Sequence, residues 1–421
     1  MDSSVIQRAP PVGADVVQLP CISTGTGFAF LSGIRVLDLS TSVAGPYAGM
    51  LLGDMGADVV KIERPGVGDD ARAWGPPFVD GESLWYVSVN RNKRSVTLDI
   101  ASPRGREVLR ALIKVSDVVL LNQPLRVQTK LGIDAAACRV IRPDIVHVSI
   151  TGFGLKGKRS GWPCYDLIAE GYSGIMDITG EADGPAQKIG APAADMLAGQ
   201  DAAFSTVAVL FERTRTGQGR EIDVALVDSM TRFLSCRMVP YLASQELPRR
   251  SGGRDSVIAI YQSFETADLP ITLGLGNDLI WKRFWSALDS PEIGEEKRYQ
   301  SNGDRRMHRA EIVARIQAIL SEKPRDHWLD LFSRNRVPAG PIYRLDEVAQ
   351  DQGMLDRGLF YTLNADGRQL PQVGTGILVD GKVNLPRMGP PRLGASTVDV
   401  LRDLAKLDEK EIEALKRDGV I

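Results

Sequence analysis

A strand–helix–strand pattern that recurs along the first half of the chain constrains its fold most strongly. Residues 34–39 and 57–63 are short apolar runs with β-branched side chains, and the residues between them, 44–55, are apolar and small. Two strands joined by a helix over about 30 residues are typical of a parallel sheet. The pattern repeats with predicted strands at 94–99, 117–121 and 145–150 and a predicted helix at 103–115. We therefore predict an α/β fold whose parallel sheet is covered on both faces.

The character of the sequence changes near residue 251, which predicts a second, smaller α+β domain. Two runs, 258–266 and 271–276, are predicted as paired strands because turn-forming residues lie between them. The helices predicted to follow are 278–288, 309–320 and 326–335, with an amphipathic helix at 408–417 near the end of the chain. The predicted organisation is a flexible N-terminal arm (1–30), the first part of a large domain (31–229), the small domain (230–345) and a return to the large domain (346–421).

Charge and composition narrow the classes of function. The chain has 421 residues, with 51 Lys+Arg against 53 Asp+Glu, so it lacks the basic excess of a nucleic-acid or anionic-membrane binder. No apolar run approaches the length of a membrane span, and four scattered cysteines indicate a reducing, cytoplasmic compartment. Only three histidines occur, in no metal-binding spacing, so we expect no metal and a chemistry of carboxylates, backbone amides or a bound cofactor.

Two glycine-containing segments each have two interpretations. Residues 152–157 match G-x-G-x-x-G, but the Trp162-Pro163 region that follows cannot continue a helix, so a glycine-rich loop is favoured over a nicotinamide site. Residues 40–49 follow the first strand and open a helix, where α/β sheets bind ligands and helix amides favour phosphates. The alternative for this second segment is a tightly packed helix start.

Charged residues at three places also have two interpretations. Arg64 ends the second strand, and residues 90–94 add three cations, so these side chains either bind a polyphosphate or form a solvated face. Asp195 stands at the predicted start of a long helix of small residues, 195–214. A carboxylate there is either an N-cap or a nucleophile that the helix terminus keeps ionised.

Taken together, these segments resemble the class III coenzyme A transferases, also called the formyl-CoA transferase or CaiB–BaiF family. The resemblance covers residues 31–400 and is closest to the succinyl-CoA:glutarate CoA-transferase branch. The segments that carry it are Gly33–Ser40, Val43–Ala48, Leu52–Pro65, Gly68–Val79, Asn92–Asp99, Ser149–Gly154, Arg215–Gly219 and Val337–Pro341.

The resemblance implies a Rossmann-like large domain, a smaller α+β domain and an interlocked homodimer whose N-terminal arm wraps the partner. It implies that the Asp195 carboxylate attacks the thioester of a short acyl-CoA, such as succinyl-CoA, and becomes an aspartyl-CoA thioester. A small carboxylic or dicarboxylic acid then takes the CoA. The implied coenzyme A contacts are Val43, Ala44, Arg64, Leu98, Asp99, Ile100, Ala101, Asn122, Gln123, Lys130, Cys164, Tyr165 and Asp166.

This chain departs from the family pattern at three places, which bear on the alternatives. Residues 121–126 lack the family's aromatic and glycine, and only Gly252 and Gly253 stand where the formyl-CoA transferase branch has a glycine run. Tyr165 replaces the histidine base of the racemase branch, which favours transfer over the alternative of an acyl-CoA racemase or epimerase. The other rivals are an oxidoreductase and a silent CoA-binding protein. Candidate contacts to the acid are Gly252, Gly253, Arg254, Tyr261 and Gln262.

Overall fold

A computed structural model describes residues 18–421 of the chain. Most of the predicted N-terminal arm, residues 1–17, lies outside the described residues. The strands are β1 (Cys21–Ser23), β2 (Arg35–Asp38), β3 (Asp58–Glu63), β4 (Phe78–Val79), β5 (Glu82–Ser83), β6 (Lys93–Thr97), β7 (Val118–Leu121), β8 (Val146–Thr151), β9 (Glu221–Ala225), β10 (Tyr261–Phe264), β11 (Ile271–Gly274), β12 (Ala339–Pro341), β13 (Phe360–Ala365), β14 (Arg368–Val373), β15 (Leu378–Val379) and β16 (Lys382–Val383).

Helices connect and flank these strands, and Asp70–Ala73 and Lys297–Tyr299 form short 3₁₀ turns. The α-helices are α1 (Ala44–Asp54), α2 (Leu84–Ser88), α3 (Pro103–Lys114), α4 (Leu125–Leu131), α5 (Ala135–Ile141), α6 (Asp166–Ser173), α7 (Ile175–Ile178), α8 (Ala193–Thr216), α9 (Leu226–Phe233), α10 (Ser235–Ser244), α11 (Asp278–Ala287), α12 (Pro291–Gly294), α13 (Asn302–Met307), α14 (Arg309–Leu320), α15 (Arg325–Arg334), α16 (Leu345–Ala349), α17 (Gln352–Asp356), α18 (Thr397–Asp403) and α19 (Glu409–Arg417). Within residues 18–421, no helix is both long and apolar enough to cross a membrane.

Six parallel strands form the central sheet in the spatial order β6–β3–β2–β7–β8–β9. Val36 at the centre lies opposite Val59 on one side and Val118 on the other. Numbered along the chain within this sheet, the order is 3-2-1-4-5-6, which is the Rossmann arrangement. The order reverses between β2 and β7, and ligands of open α/β sheets bind at the carboxyl ends of the strands at such a reversal.

Both faces of the sheet are covered by helices, so the predicted parallel α/β sheet is confirmed. On one face α1 and α8 pack through small side chains such as Ala48 and Ala198. On the other face α3, α18 and α19 contribute Leu112, Leu401 and Leu415. The central strands β7 and β8 are buried along their whole length, as expected for strands of a parallel sheet that is covered on both faces.

The predicted pairing of two strands in the second half of the chain is confirmed. β10 and β11 are antiparallel, with Phe264 opposite Ile271, and β12 extends the sheet. The cluster that packs on this sheet contains only residues between 259 and 337, including Trp281, Trp285 and Phe332. This segment therefore has a hydrophobic core of its own.

The last third of the chain contains a hairpin for which the sequence analysis predicted no strands. β13 and β14 are joined at Asp366 and Gly367, both of which have positive φ, as a tight hairpin turn requires. Residues 21–23 of the predicted arm form β1, which pairs in parallel with β13. Helix α19 begins with a capping box between Asp408 and Glu411, at the predicted position.

Candidate active site

The loops that follow β2 and β7 meet at the point where the strand order reverses. The Asn122 side chain accepts a hydrogen bond from the Thr41 amide (3.1 Å) and donates one to the Thr41 carbonyl (2.8 Å). Gln123 donates to the Leu39 carbonyl at 2.7 Å. The two predicted contact residues of the β7 loop thus hold the backbone of the β2 loop, and cavities open on either side of this junction.

The larger of these cavities has a volume of about 460 Å³ and contains Asp195. Its predicted lining residues are Val43, Ala44, Asn122, Cys164, Tyr165, Asp166 and Asp195. The lining residues that the sequence analysis missed are Ser42, Trp74, Trp85, Ile150, Thr151, Gly152, Leu167, Lys188, Gly190, Ala191, Pro192 and Leu226. Trp74 lies in one of the segments that carry the family resemblance, whereas Lys188 and Leu167 lie in none of them.

Asp195 is held in this cavity because α8 packs very closely on the start of α1. A Cβ atom added at Gly199, one turn after Asp195, would lie 2.6 Å from the Ala44 carbonyl oxygen and 3.0 Å from a ring carbon of Tyr47. Only glycine allows this approach without a shift of the backbone. The close packing places Asp195 and Ala44 on the wall of one cavity.

The start of α8 is capped by Asp166, which lies at the first position of α6. Its Oδ1 accepts hydrogen bonds from the amides of Ala194 (2.8 Å) and Asp195 (3.2 Å). The Asp166 carboxylate therefore accepts the hydrogen bonds of the free amides at the start of α8. The Asp195 side chain does not receive these hydrogen bonds, so the helix terminus does not keep it ionised in the way that the sequence suggested. Burial, and secondly the negative charge of Asp166, raise the pKa of Asp195 to about 7.

A second acidic side chain, Glu170, supports the segment that leads into α8. Glu170 is fully buried, and its Oε2 accepts a hydrogen bond from the Ile189 amide at 2.9 Å. Its other oxygen has no hydrogen-bond partner within residues 18–421. Burial raises the pKa of Glu170, and neighbouring Asp166 contributes to the same rise.

The smaller cavity, of about 260 Å³, lies on the other side of the β2 loop. It brings together the predicted contacts Arg64, Leu98, Asp99, Ile100, Ala101 and Gln123. Leu39, Ser40 and Thr41 line this cavity, and the next residues of the same loop, Ser42 to Ala44, line the larger one. A single extended ligand could therefore follow the loop from one cavity to the other.

Lys130 is the one predicted contact that lines neither of these cavities. It borders a separate groove together with Arg106 and Arg110. Leu131 lines both this groove and the smaller cavity, so the two are adjacent.

The β2 loop rests on buried ion pairs. Lys61 pairs with Asp69 at 2.8 Å and donates to the Ser40 carbonyl at 2.8 Å. Asp69 in turn accepts a hydrogen bond from the Ser42 amide at 2.9 Å. Ser42 has a φ of +71°, a costly conformation for a residue other than glycine, and these contacts hold it there.

The residues suggested for acid contact lie elsewhere. Gly253, Arg254, Tyr261 and Gln262 line a cavity of about 730 Å³ beside the sheet of β10, β11 and β12, and this cavity shares no lining residue with the Asp195 cavity. The Gly252 amide donates to the Gly180 carbonyl at 2.9 Å. The loop that contains this pair of glycines is thus fixed against the segment before α8, in contact with its first residues.

No histidine is among the described residues that line the Asp195 cavity, and the glycine-rich loop beside it does not have the form of a nicotinamide site. His147 is buried in β8, where Nε2 lies 2.8 Å from the Ile133 carbonyl and burial lowers the pKa of the ring. After the glycine-rich loop that begins at Gly152, the first helix starts only at Asp166, so the segment does not form a nucleotide-binding βα turn. Within the described part of the chain, no group of three or more His, Cys, Asp or Glu side chains is arranged to hold a metal.

The sheet order, the cavities at its reversal and the half-buried Asp195 carboxylate define a Rossmann-like fold with a candidate active site at the carboxyl ends of its strands. The family model described as CoA-transferase family III matches residues 31–397. The chain belongs to this family and is an enzyme that transfers CoA.

Curated relatives and a solved structure agree with this assignment. The chain is 38% identical to the succinate–glutarate CoA-transferase of Agrobacterium fabrum over 385 residues, covering 90% of this chain and 96% of the relative. It is 37% identical to the mouse succinyl-CoA:glutarate CoA-transferase over 398 residues, covering 93% and 90%. A CaiB/BaiF family protein from Brucella suis has the same fold, with a TM-score of 0.79 and 34% identity, over 90% of this chain and 100% of that one.

Proposed function

We propose that the protein moves CoA from a short acyl-CoA, such as succinyl-CoA, to a small carboxylic or dicarboxylic acid through an aspartyl-CoA thioester on Asp195. The observation that carries the proposal is the run of two cavities along the β2 loop, with Asp195 in the larger one. The relatives named above act on succinate or succinyl-CoA and glutarate, which supports a dicarboxylic acid as one substrate.

In this proposal the two cavities bind opposite ends of the acyl-CoA. Arg64 and residues 98–101 receive the adenosine end, and Cys164, Tyr165 and Asp166 border the end that carries the thioester. Val43 and Ala44 lie at the start of α1, where backbone amides and the helix dipole favour negative charge. Burial, followed by the charges of Asp195 and Asp166, raises the pKa of the Cys164 thiol to about 11, so this thiol is neutral and no rival nucleophile.

The reaction proceeds by exchange of carboxylates and thiolate. The ionised Asp195 attacks the thioester carbonyl, and the carbon–sulfur bond breaks to give a mixed anhydride and CoA thiolate. The thiolate then attacks the Asp195 carbonyl carbon and releases the donor acid, which leaves the aspartyl-CoA thioester. An acceptor carboxylate reverses these two steps, so the new acid leaves with CoA and Asp195 is regenerated. No net proton or electron is consumed.

The decisive experiment is the intact mass of the protein after addition of succinyl-CoA without an acceptor. We expect a mass increase equal to CoA less one water, because one Asp195 oxygen leaves with the donor acid, and we expect hydroxylamine to remove the CoA and Asp195→Asn to abolish the adduct. Asp201→Asn is the matched control, because Asp201 lies on the same helix but outside the cavity. A wild-type protein that consumes succinyl-CoA without any such adduct would contradict the covalent mechanism.

We further propose a homodimer. Helix α10 has no buried residue in the single chain, although Val239 and Leu242 are apolar and exposed. The face of α8 that carries Phe204 and Phe211 is also exposed, and such faces are typical of subunit interfaces. An interlocked arrangement with the domain limits 31–229, 230–345 and 346–421 fits these surfaces, and sedimentation equilibrium tests for the dimer.

The four free cysteines support a reducing, cytoplasmic location.

A further inference from the structure

The cavity that contains Asp195 is lined by more acidic than basic side chains. Among its described lining residues, Lys188 is the one cationic side chain, and Asp166 and Asp195 are both acidic. A dicarboxylic substrate brings its reacting carboxylate and a second, distal carboxylate into the same space. Burying that distal group beside two acidic side chains is costly unless a cation pairs with it.

Lys188 is held at the wall of this cavity by its own segment. The next residue, Ile189, is fixed by the hydrogen bond from its amide to the buried Glu170 carboxylate, at 2.9 Å. Lys188 lies seven residues before Asp195, on the stretch that leads from α7 into α8. The nucleophile and the lysine thus enter the cavity from one continuous, anchored piece of chain.

The ammonium group of Lys188 is available to a ligand. Its Nζ donates to the carbonyl of Ile189 at 2.9 Å, and within residues 18–421 no carboxylate lies within ion-pairing distance of it. Other cations near the β2 loop are already committed, as Lys61 is to Asp69. A lysine on an exposed stem can swing its head toward a carboxylate at little cost in burial.

We propose that Lys188 binds the distal carboxylate of the dicarboxylic acid and so makes the enzyme select dicarboxylic over monocarboxylic acceptors. This inference rests on the proposed function and names the substrate class that the site prefers. The lysine is a specificity-determining residue, because its partner is the end of the substrate that does not react. The reacting carboxylate faces Asp195 while the distal one pairs with Lys188.

Competition between two acceptors tests the proposal. Wild-type enzyme, Lys188→Met and Lys188→Arg each receive succinyl-CoA with equal amounts of glutarate and monomethyl glutarate, and the ratio of the two CoA products is measured by mass spectrometry. Both acceptors draw on the same enzyme-bound CoA, so the ratio is independent of the donor step. Lys156→Met is the control, because Lys156 is an exposed lysine that does not line the cavity.

We expect the wild type and Lys156→Met to favour glutarate and Lys188→Met to lose about tenfold of that preference, the usual effect of removing a hydrogen bond to a charged group. Lys188→Arg should keep most of the preference. An unchanged ratio in Lys188→Met, with the wild type active, overturns the inference and leaves the proposed function intact. A wild type that passes CoA to neither acid, nor to any other, overturns the proposed function itself.

Discussion

Replacement of Asp166 by asparagine tests how the site controls the ionisation of Asp195. Asp166 Oδ1 lies 3.2 Å from the Asp195 amide, and the charge of Asp166 contributes to the raised pKa of Asp195. Asparagine keeps a side-chain oxygen that can cap α8, but it removes the negative charge. In the proposed mechanism Asp195 must be ionised to react, so activity should rise with pH through the pKa of Asp195, which lies at about 7 in the wild type.

The expected size of the effect follows from the causes of that pKa. Burial is the larger cause of the rise from 3.8 to about 7, and the charge of Asp166 is the smaller. The charge therefore accounts for less than half of the rise. We expect the midpoint of the pH profile in Asp166→Asn to fall by about one pH unit, which corresponds to about 1.4 kcal/mol. At a pH well above the midpoint the two enzymes should react at similar rates if the cap is kept.

The assay is the first half-reaction, with formation of the CoA adduct at Asp195 followed at several pH values by rapid quenching and intact mass. The absence of acceptor acid removes the titration of that substrate from the profile. Asp183→Asn, which removes an exposed carboxylate outside the cavity, should leave the midpoint in place. A midpoint that stays fixed or rises in Asp166→Asn would refute the view that the Asp166 charge acts on Asp195.

Three further substitutions have expected outcomes. Gly199→Ala places a methyl group 2.6 Å from the Ala44 oxygen, so we expect a net loss of about 1–3 kcal/mol in urea unfolding, together with at least a tenfold slower adduct formation. Lys61→Met leaves Asp69 buried without its cation, and equilibrium unfolding should show a loss of about 3–5 kcal/mol. Asp195→Asn should make the protein more stable than the wild type at high pH. The folded-state pKa of Asp195 is raised, so the wild type loses stability as pH rises from about 4 through about 7. Unfolding near pH 8 should show a gain of at most about 4 kcal/mol that disappears near pH 4.

Local sequence patterns predicted most strands and helices of the sheet, but they could not predict which distant strands pair with one another. Strands β2, β7 and β8 of the central sheet follow from apolar runs that must be buried on both faces, and α3 follows from Pro103 at its start. The spatial order of the strands depends on contacts between distant segments. The hairpin of β13 and β14 was missed, although its Asp-Gly turn is a short-range signal, because a proline interrupts the second strand.

The candidate site also contains some residues that local patterns indicate and others that only the tertiary packing reveals. From its place at a predicted helix start, Asp195 was either an N-cap or a nucleophile, and the family resemblance implied the nucleophile. The close packing at Gly199 is a physical reason for the small residues of α8. The capping role of Asp166 was not readable, because the two residues are 29 positions apart and meet only through the packing of α6 on α8. No local sequence pattern marks Lys188 as a site residue, and only its position on the wall of the Asp195 cavity makes it a candidate.

Two buried carboxylates behind the β2 loop, Glu63 and Asp38, have cationic neighbours that compensate their negative charge, whereas the neighbour of Asp195 is acidic. Burial would raise the pKa of Glu63, but hydrogen bonds from Arg72 and the charge of Lys61 hold it at about 2. For Asp38, too, burial would raise the pKa, but the charges of Lys93 and Lys61 and the hydrogen bonds from Ser40 and Lys93 together lower it. Asp195 is half-buried beside another acid instead, and its pKa moves to about 7. The compensated groups fix the loop at the strand ends, and the uncompensated one has the perturbed ionisation that is typical of a reacting group.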